Sequence, residues 1–309
     1  MKKVLITPRS FGKYNKEELV EKLHKNEIEP VFNPYGTIMN EEQMKVALQD
    51  MDGLIVGVDP VSKDVLQSAD KLRTIAKYGV GIDNIDCEIA KEKGISISRT
   101  INANANAVAD YAMALMMSVA RRVVEINSGC HNNDWSKKEA LDVYGKTIGV
   151  LGLGAIGKGV VKRASGFDMK IYGYDVIRDD EFLNKYQVQF TDVDTIIREC
   201  DFISLHLPLT EQTKHILNKE NLSAAKENLI IVNTARGGLI DEEDLYELLK
   251  DHKIYGLGLD VFEHEPPQDS RLMTLPNVVV SSHTAASSQE AINAMSRMAV
   301  DNLIKGLHQ

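Results

Sequence analysis

Cysteine is scarce. Cys87, Cys130 and Cys200 are the three in 309 residues, and none forms a CxxC pair. That spacing excludes a disulfide scaffold and reads as reduced thiols in a cytoplasmic protein. Histidine and cysteine nowhere cluster at ligand spacing, so no metal is expected. The chain has one tryptophan and eight prolines, and neither an internal repeat nor a low-complexity segment. Lysine and arginine form no block and the net charge is −9, which argues against a nucleic-acid partner. The first apolar run, Val4-Leu5-Ile6-Thr7, stops at Pro8. It is too short for a signal core or a membrane span, so no membrane partner is expected.

What remains is an ordinary globular composition, 43% hydrophobic and 26% charged, with a length that suggests two domains. Short apolar runs alternate with helical patterns. Strands are expected near Val4–Thr7, Val31–Asn33, Leu54–Val58, Thr74–Tyr78 and Ile95–Ser98. A second series follows at Thr147–Leu151, Lys170–Tyr174, Phe202–Leu207, Leu229–Thr234, Ile254–Asp260 and Val278–Ser281. Strands joined by helices imply parallel pairing with right-handed crossovers, an α/β fold of doubly wound sheets. The pattern from Asn104 to Ser128 predicts one long helix, with Met113, Met116 and Met117 as core. In Gln289–Leu307, Ile292, Met295, Ala299 and Leu303 share one helical face. That helix is expected to return to the first domain, making it discontinuous: 1–99 with 286–309, around a second domain at 100–285.

The stretch 149–159, GVLGLGAIGKG, holds five glycines directly after an apolar run. Gly152-x-Gly154-x-x-Gly157 lies between an expected strand and an expected helix, and Asp175 ends the next strand. That context marks a dinucleotide site. Gly152 permits the tight turn, Gly154 admits a pyrophosphate and Gly157 lets the helix pack closely. The helix opening at Ala155 and Ile156 points N–H groups at the phosphates. Asp175 would accept from the ribose hydroxyls and repel a 2′-phosphate, favouring NAD over NADP, with Arg178 nearby as the counter-argument.

Three further stretches end strands: Asn233–Gly238, Leu259–Pro267 and Ser281–Ala286. Ligands of open α/β sheets lie beyond strand carboxyl ends, so Arg236, Glu265 and His283 are candidates for one site. Arg236 can grip a carboxylate with two hydrogen bonds. His283 can exchange a proton with a carbonyl oxygen, and Glu265 can fix its tautomer. Spacing alone does not separate Arg236 from a surface arginine or His283 from a structural histidine.

Together with His206-Leu207-Pro208-Leu209-Thr210 and Lys77-Tyr78-Gly79-Val80-Gly81-Ile82-Asp83-Asn84-Ile85-Asp86, these motifs resemble the D-isomer-specific 2-hydroxyacid dehydrogenase family. The likeness covers essentially the whole chain and is greatest to the phosphoglycerate dehydrogenase-like branch. It implies a Rossmann NAD-binding domain plus a flavodoxin-like substrate domain, a cleft that closes between them, and a homodimer. It implies Arg236, Glu265 and His283 as the catalytic set, and backbone donors at Val80 and Gly81 for the substrate carboxylate. Asp260 would meet the nicotinamide carboxamide, Thr234 and Ala235 would line the nicotinamide pocket, and His206, Leu207 and Pro208 the adenosine side. The implied activity is hydride transfer between NAD(H) and a D-2-hydroxy acid/2-oxo acid pair. Substrates resembling 3-phosphoglycerate, hydroxypyruvate or glyoxylate all stay open. The branch's serine-pathway members usually carry a basic residue after the third strand, where this chain reads Gly57-Val58-Asp59-Pro60. Arg9 and Lys77 are candidate phosphate contacts, with solvated surface charge as the competing assignment. An NAD-sensing, corepressor-like binding protein of the same fold is the alternative function.

Overall fold

Strands buried on both faces read as unbroken apolar runs, and Val4, Leu5 and Ile6 are at most 1% exposed. In the computed structural model, which describes residues 1–268 and 270–308, they belong to β1 (Lys2–Ile6). There follow α1 (Lys16–Lys25), β2 (Ile28–Phe32), α2 (Glu41–Leu48), β3 (Gly53–Val56), α3 (Lys63–Ser68), β4 (Thr74–Lys77), α4 (Cys87–Glu92) and β5 (Ser96–Arg99). Asn40 and Gln43 form a capping box at the start of α2, and Asp86 caps α4, so these two helices begin where a side chain meets their unpaired N–H groups. All pairings are parallel, in the order β2-β1-β3-β4-β5, a flavodoxin-like sheet.

The chain divides into two compact units, Met1–Asn104 with Ala286–Gln309, and Ala105–Ala285. The first division falls at Asn104 rather than after residue 99. Thr100 is fully buried and bonds Gly79 through its own N–H and through its hydroxyl, which accepts from Gly79 N at 2.8 Å, so this segment belongs to the first core.

The second unit runs α5 (Ala105–Ala120), α6 (Val123–His131), β6 (Thr147–Leu151), α7 (Ala155–Ser165), β7 (Lys170–Tyr174), α8 (Asp180–Lys185), β8 (Gln189–Phe190), α9 (Val193–Glu199), β9 (Phe202–Leu205), α10 (Lys219–Leu222), β10 (Ile230–Asn233), α11 (Glu242–Lys250), β11 (Gly256–Leu259) and β12 (Val278–Val280). Its parallel sheet has the order β12-β11-β10-β9-β6-β7-β8. The order reverses between β6 and β9, the switch point at which Rossmann folds hold dinucleotides. Met113 and Met116 are buried in its core. The expected single helix over 104–128 is two. Arg122 adopts a left-handed conformation (φ 52°) between α5 and α6, and its guanidinium turns to Glu125 at 2.7 Å and to the Glu139 carbonyl.

After β12 the chain returns to the first unit as α12 (Gln289–Leu307). Ala299, Val300, Leu303 and Leu307 pack with Val4, Ile6, Ile55 and Ala76. The approach is close enough that a Cβ on Gly306 would stand 2.1 Å from the Thr74 hydroxyl.

At the amino end of the second sheet, Asp201 ties β6 to β9. It accepts from Thr147 N (2.9 Å), Thr147 Oγ1 (2.7 Å), Asn228 (3.0 Å) and Lys226 (3.1 Å). Burial acts to raise its pKa, but these donors outweigh burial and bring it down to about 2. A depressed carboxylate pKa stabilises the fold above its unfolded value near 4 and loses that effect as pH falls towards 2. Asp201→Asn is therefore expected to remove about 2 kcal/mol at pH 7, a gap that narrows by about 1 kcal/mol at pH 3. Urea unfolding of both proteins at the two pH values checks this; a pH-independent gap would refute it.

Candidate active site

The glycine loop has the geometry its sequence calls for. Gly152 lies at φ 98°, and a Cβ there would stand 2.6 Å from the His206 carbonyl. A Cβ on Gly157 would stand 1.9 Å from the Gly152 oxygen, so the first turn of α7, with Ala155 and Ile156, is pressed onto the loop itself. Above Gly154, by contrast, there is open space where a Cβ would project. Asp175 follows β7 and is already engaged by the loop. It accepts from Leu153 N at 2.6 Å and Ile177 N at 3.0 Å. Arg178 is paired with Asp180 at 2.6 Å.

His206, Leu207 and Pro208 follow β9, directly beside this loop: His206 N bonds Leu151 O at 2.7 Å. Burial pushes the His206 pKa down to about 3, so the ring is neutral. Its Nε2 meets Ser204 Oγ at 2.8 Å, while Nδ1 is covered and without a protein partner. Thr234 Oγ1, after β10, is likewise buried and unpartnered. An open glycine cradle, a helix N-terminus and two orphaned polar atoms at one sheet edge fit a dinucleotide.

Arg236, Glu265 and His283 follow the adjacent strands β10, β11 and β12, and the structure brings them together. The Asn233 side chain builds the first turn, accepting from Ala235 N (3.0 Å) and donating to Arg236 O (2.7 Å). Gly237 then lies so near the next loop that a Cβ would stand 1.9 Å from Phe262 C. Glu265 accepts from Phe262 N at 3.1 Å with one oxygen and meets His283 Nδ1 at 2.8 Å with the other. Burial works to raise the Glu265 pKa. The His283 hydrogen bond and charge, the Phe262 N–H and the Arg236 charge together lower it. Arg236 is thus near enough to act on Glu265 electrostatically, and it also donates to Ala235 O at 2.7 Å.

His283 stands in a left-handed conformation, φ 51°, which costs a β-carbon-bearing residue energy. Asp260 holds it there. Its carbonyl accepts His283 N (2.9 Å), and its carboxylate, 1% exposed, accepts Ser281 Oγ (2.7 Å), Thr284 N (2.8 Å) and Ala285 N (2.9 Å). A carboxylate can only accept, so Nδ1 of His283 carries the proton towards Glu265 and Nε2 is left for chemistry. Sequence reasoning missed the turn-building roles of Asn233, Ser281 and Asp260. Their only signal was a polar residue at or just past a buried strand end. His215, given no role from sequence, bridges Asp241 and Glu263 at 3.3 and 2.8 Å and so pins the loop that carries Glu265. Val80 and Gly81 belong to the first unit, on the loop that follows β4, where Val80 is 36% exposed.

Residues 113–285, more than half the chain, match the model of the D-isomer specific 2-hydroxyacid dehydrogenase NAD binding domain. The chain belongs to that family. A hydroxypyruvate reductase of Thermotoga maritima is 43% identical over 273 residues, covering 86% of this chain and 88% of that protein. A D-3-phosphoglycerate dehydrogenase of Methanocaldococcus jannaschii is 42% identical over 276 residues, covering 88% of this chain but 53% of that protein, so this chain spans about half of its length. The D-lactate dehydrogenase of Aquifex aeolicus, solved with NAD and lactic acid, superposes with a TM-score of 0.84 at 26% identity, covering 96% of this chain and 93% of that one.

Asp175 clips the glycine loop through Leu153 N; if it also takes up the ribose hydroxyls, Asp175→Ala should weaken NADH binding about tenfold and NADPH binding less. Fluorescence titration with both nucleotides measures this. An unchanged affinity ratio would show that the ribose is read elsewhere.

Proposed function

We propose that the protein is an NAD-dependent oxidoreductase that interconverts a D-2-hydroxy acid and its 2-oxo acid. The single observation that carries this is the His283–Glu265 pair held within electrostatic reach of Arg236, beside a cradle fitted to a dinucleotide. When bound, NADH supplies the hydride. The protein's own residues do the rest. Arg236 holds the substrate carboxylate, and Val80 and Gly81 keep the role of backbone donors that the family resemblance implies. His283 Nε2 delivers a proton to the carbonyl oxygen in reduction and removes one in oxidation. Glu265 keeps Nδ1 protonated and stabilises the charged imidazole in the direction that forms it.

Gly152, Gly154, Ala155, Ile156 and Gly157 would hold the pyrophosphate, Asp175 the adenosine ribose, His206, Leu207 and Pro208 the adenine side, and Thr234 and Ala235 the nicotinamide. Asp260 would meet the nicotinamide carboxamide, as the family resemblance implies, and its carboxylate, bonded to the 281–285 turn, also holds His283 in place. The relatives reported above bear the names of dehydrogenases and reductases, which favours an enzyme over a cofactor-sensing binding protein.

A homodimer is the assembly best supported. Helix α6 buries none of its residues, and Val123, Val124 and Ile126 are 51, 47 and 36% exposed, with Trp135 at 80% on the segment that follows. An apolar face of this kind marks an interface. A reducing cytoplasmic setting accords with three free thiols, one of them, Cys130, exposed. No described helix is long and apolar enough to cross a membrane.

NADH oxidation with glyoxylate and hydroxypyruvate tests the activity. His283→Ala should lower kcat by roughly 10²- to 10⁴-fold, and a wild-type rate in that variant would remove the histidine from the mechanism. Arg236→Ala should raise KM for the oxo acid about a hundredfold while NADH still binds; equal loss of both affinities would contradict its role. Val124→Asp should convert a dimer to monomer in light scattering, and an unchanged mass would place the interface elsewhere.

A further inference from the structure

A carboxylate that orients a histidine must stay at hydrogen-bond distance from it. The Glu265 side chain is 37% exposed, so burial does little to fix it. Its place is set further back along the loop. A Cβ on Gly237 would stand 1.9 Å from Phe262 C and 2.2 Å from Glu263 N, so the backbone at 262–263 is pressed onto the turn after Arg236 and can move only outward. Two clips on Glu263 oppose that movement: its N–H donates to Glu242 Oε1 at 2.7 Å, and its Oε1 meets His215 Nε2 at 2.8 Å. Glu242 opens α11, whose cap is Asp241, accepting from Asp244 N at 3.0 Å.

His215 comes from a third stretch, between β9 and α10. Its N–H donates to Gly238 O at 2.8 Å, Leu217 N donates to Leu239 O at 3.3 Å, and Asp241 N donates to Leu217 O at 3.1 Å. Leu217, Leu239 and Ile240 are fully buried. Residues 215–217 are therefore seated on the turn that follows Arg236 without help from the imidazole. The ring is left to reach Glu263 on one side and Asp241 on the other, its Nδ1 3.3 Å from Asp241 Oδ2. Charge gives this bridge a second purpose. Asp241, Glu242 and Glu263 gather three carboxylates here. Burial pushes the Glu242 pKa up, the Glu263 N–H pulls it back, and the Glu263 charge pushes it up again. Removing the imidazole would leave like charges facing one another with no ring between them.

We propose that His215 is a positioning residue for the proton-transfer pair: through Glu263 it holds Glu265 against His283, while its backbone braces the turn that carries Arg236. This rests on the 2-oxo acid reading and deepens it. The defect expected on losing the imidazole lies in chemistry rather than in binding. A loop released at Glu263 lets Glu265 drift, and His283 Nδ1 loses the acceptor that keeps Nε2 ready to exchange a proton. The Arg236 turn keeps its own bonds to Asn233, and the glycine loop keeps its bond to Asp175, so oxo acid and NADH still bind.

Single-turnover and steady-state oxidation of NADH by hydroxypyruvate test this. His215→Ala should slow the single-turnover step about tenfold, with KM for hydroxypyruvate and NADH affinity changed by less than about threefold. Glu263→Ala breaks the same link from its exposed end and should match it, and the double variant should be slower than either by less than about twofold. His215→Gln keeps an N–H donor for Glu263 and should recover about threefold of the loss. The deciding readout is a cycle with Glu265→Gln: in that background His215→Ala should cost less than about twofold, because the group it acts through is already disabled. An equal loss in both backgrounds, a raised KM with the single-turnover step unchanged, or wild-type rates in His215→Ala and Glu263→Ala would overturn the inference and leave the 2-oxo acid chemistry intact. A wild type that oxidises no NADH with hydroxypyruvate or glyoxylate would overturn that chemistry, and the positioning role with it.

Discussion

One register of parallel pairing arranges everything the second unit offers. Tyr174 pairs with Leu151, Leu151 with Leu205, Leu205 with Asn233, Asn233 with Leu259, and Leu259 with Val280. Six strands therefore end at one level. The next residues are Asp175, Gly152, His206, Thr234, Asp260 and Ser281. A parallel sheet cannot avoid gathering these positions at one edge, because all its strands point the same way. Polar groups that the ladder does not use are then free to build turns, and the turns carry the reactive side chains.

The turns differ in how they are secured. The glycine loop depends on missing side chains, since a Cβ at Gly152 or Gly157 would collide with backbone. The Arg236 turn depends on Asn233, whose amide serves both sides of the bend. The His283 turn depends on the buried Asp260 carboxylate, which offsets the cost of a left-handed histidine. That expenditure is informative: a conformation that folding alone would avoid is maintained where the imidazole must point at Glu265.

Much of this was legible beforehand. Buried strands announce themselves as apolar runs, and the glycine spacing marked the tight strand-to-helix turn at Gly152–Gly157. The helix Gln289–Leu307 was readable from one apolar face. Besides the turn-building residues Asn233, Ser281 and Asp260, other features were not. The break at Arg122 carries no glycine or proline, because a single left-handed residue is stabilised by side-chain contacts 3 and 17 residues onward. The inward turn of Asp59 and the burial of Lys77 depend on partners from other strands, Thr7 and Gly57 among them. Local pattern reports which residues are polar; it does not report which polar residues find one another across a sheet.

The route of α12 has a consequence for biosynthesis. The sheet of the first unit precedes the second unit in chain order, yet the helix packed against Val4, Ile6, Ile55 and Ala76 follows it. The second unit, continuous in sequence, has all its strands and helices translated before that. An apolar sheet face must therefore stay uncovered while some 180 further residues emerge, a wait of roughly 10–40 s at typical elongation rates. Until α12 is translated, the apolar sheet face built by Met1–Asn104 stays open to water.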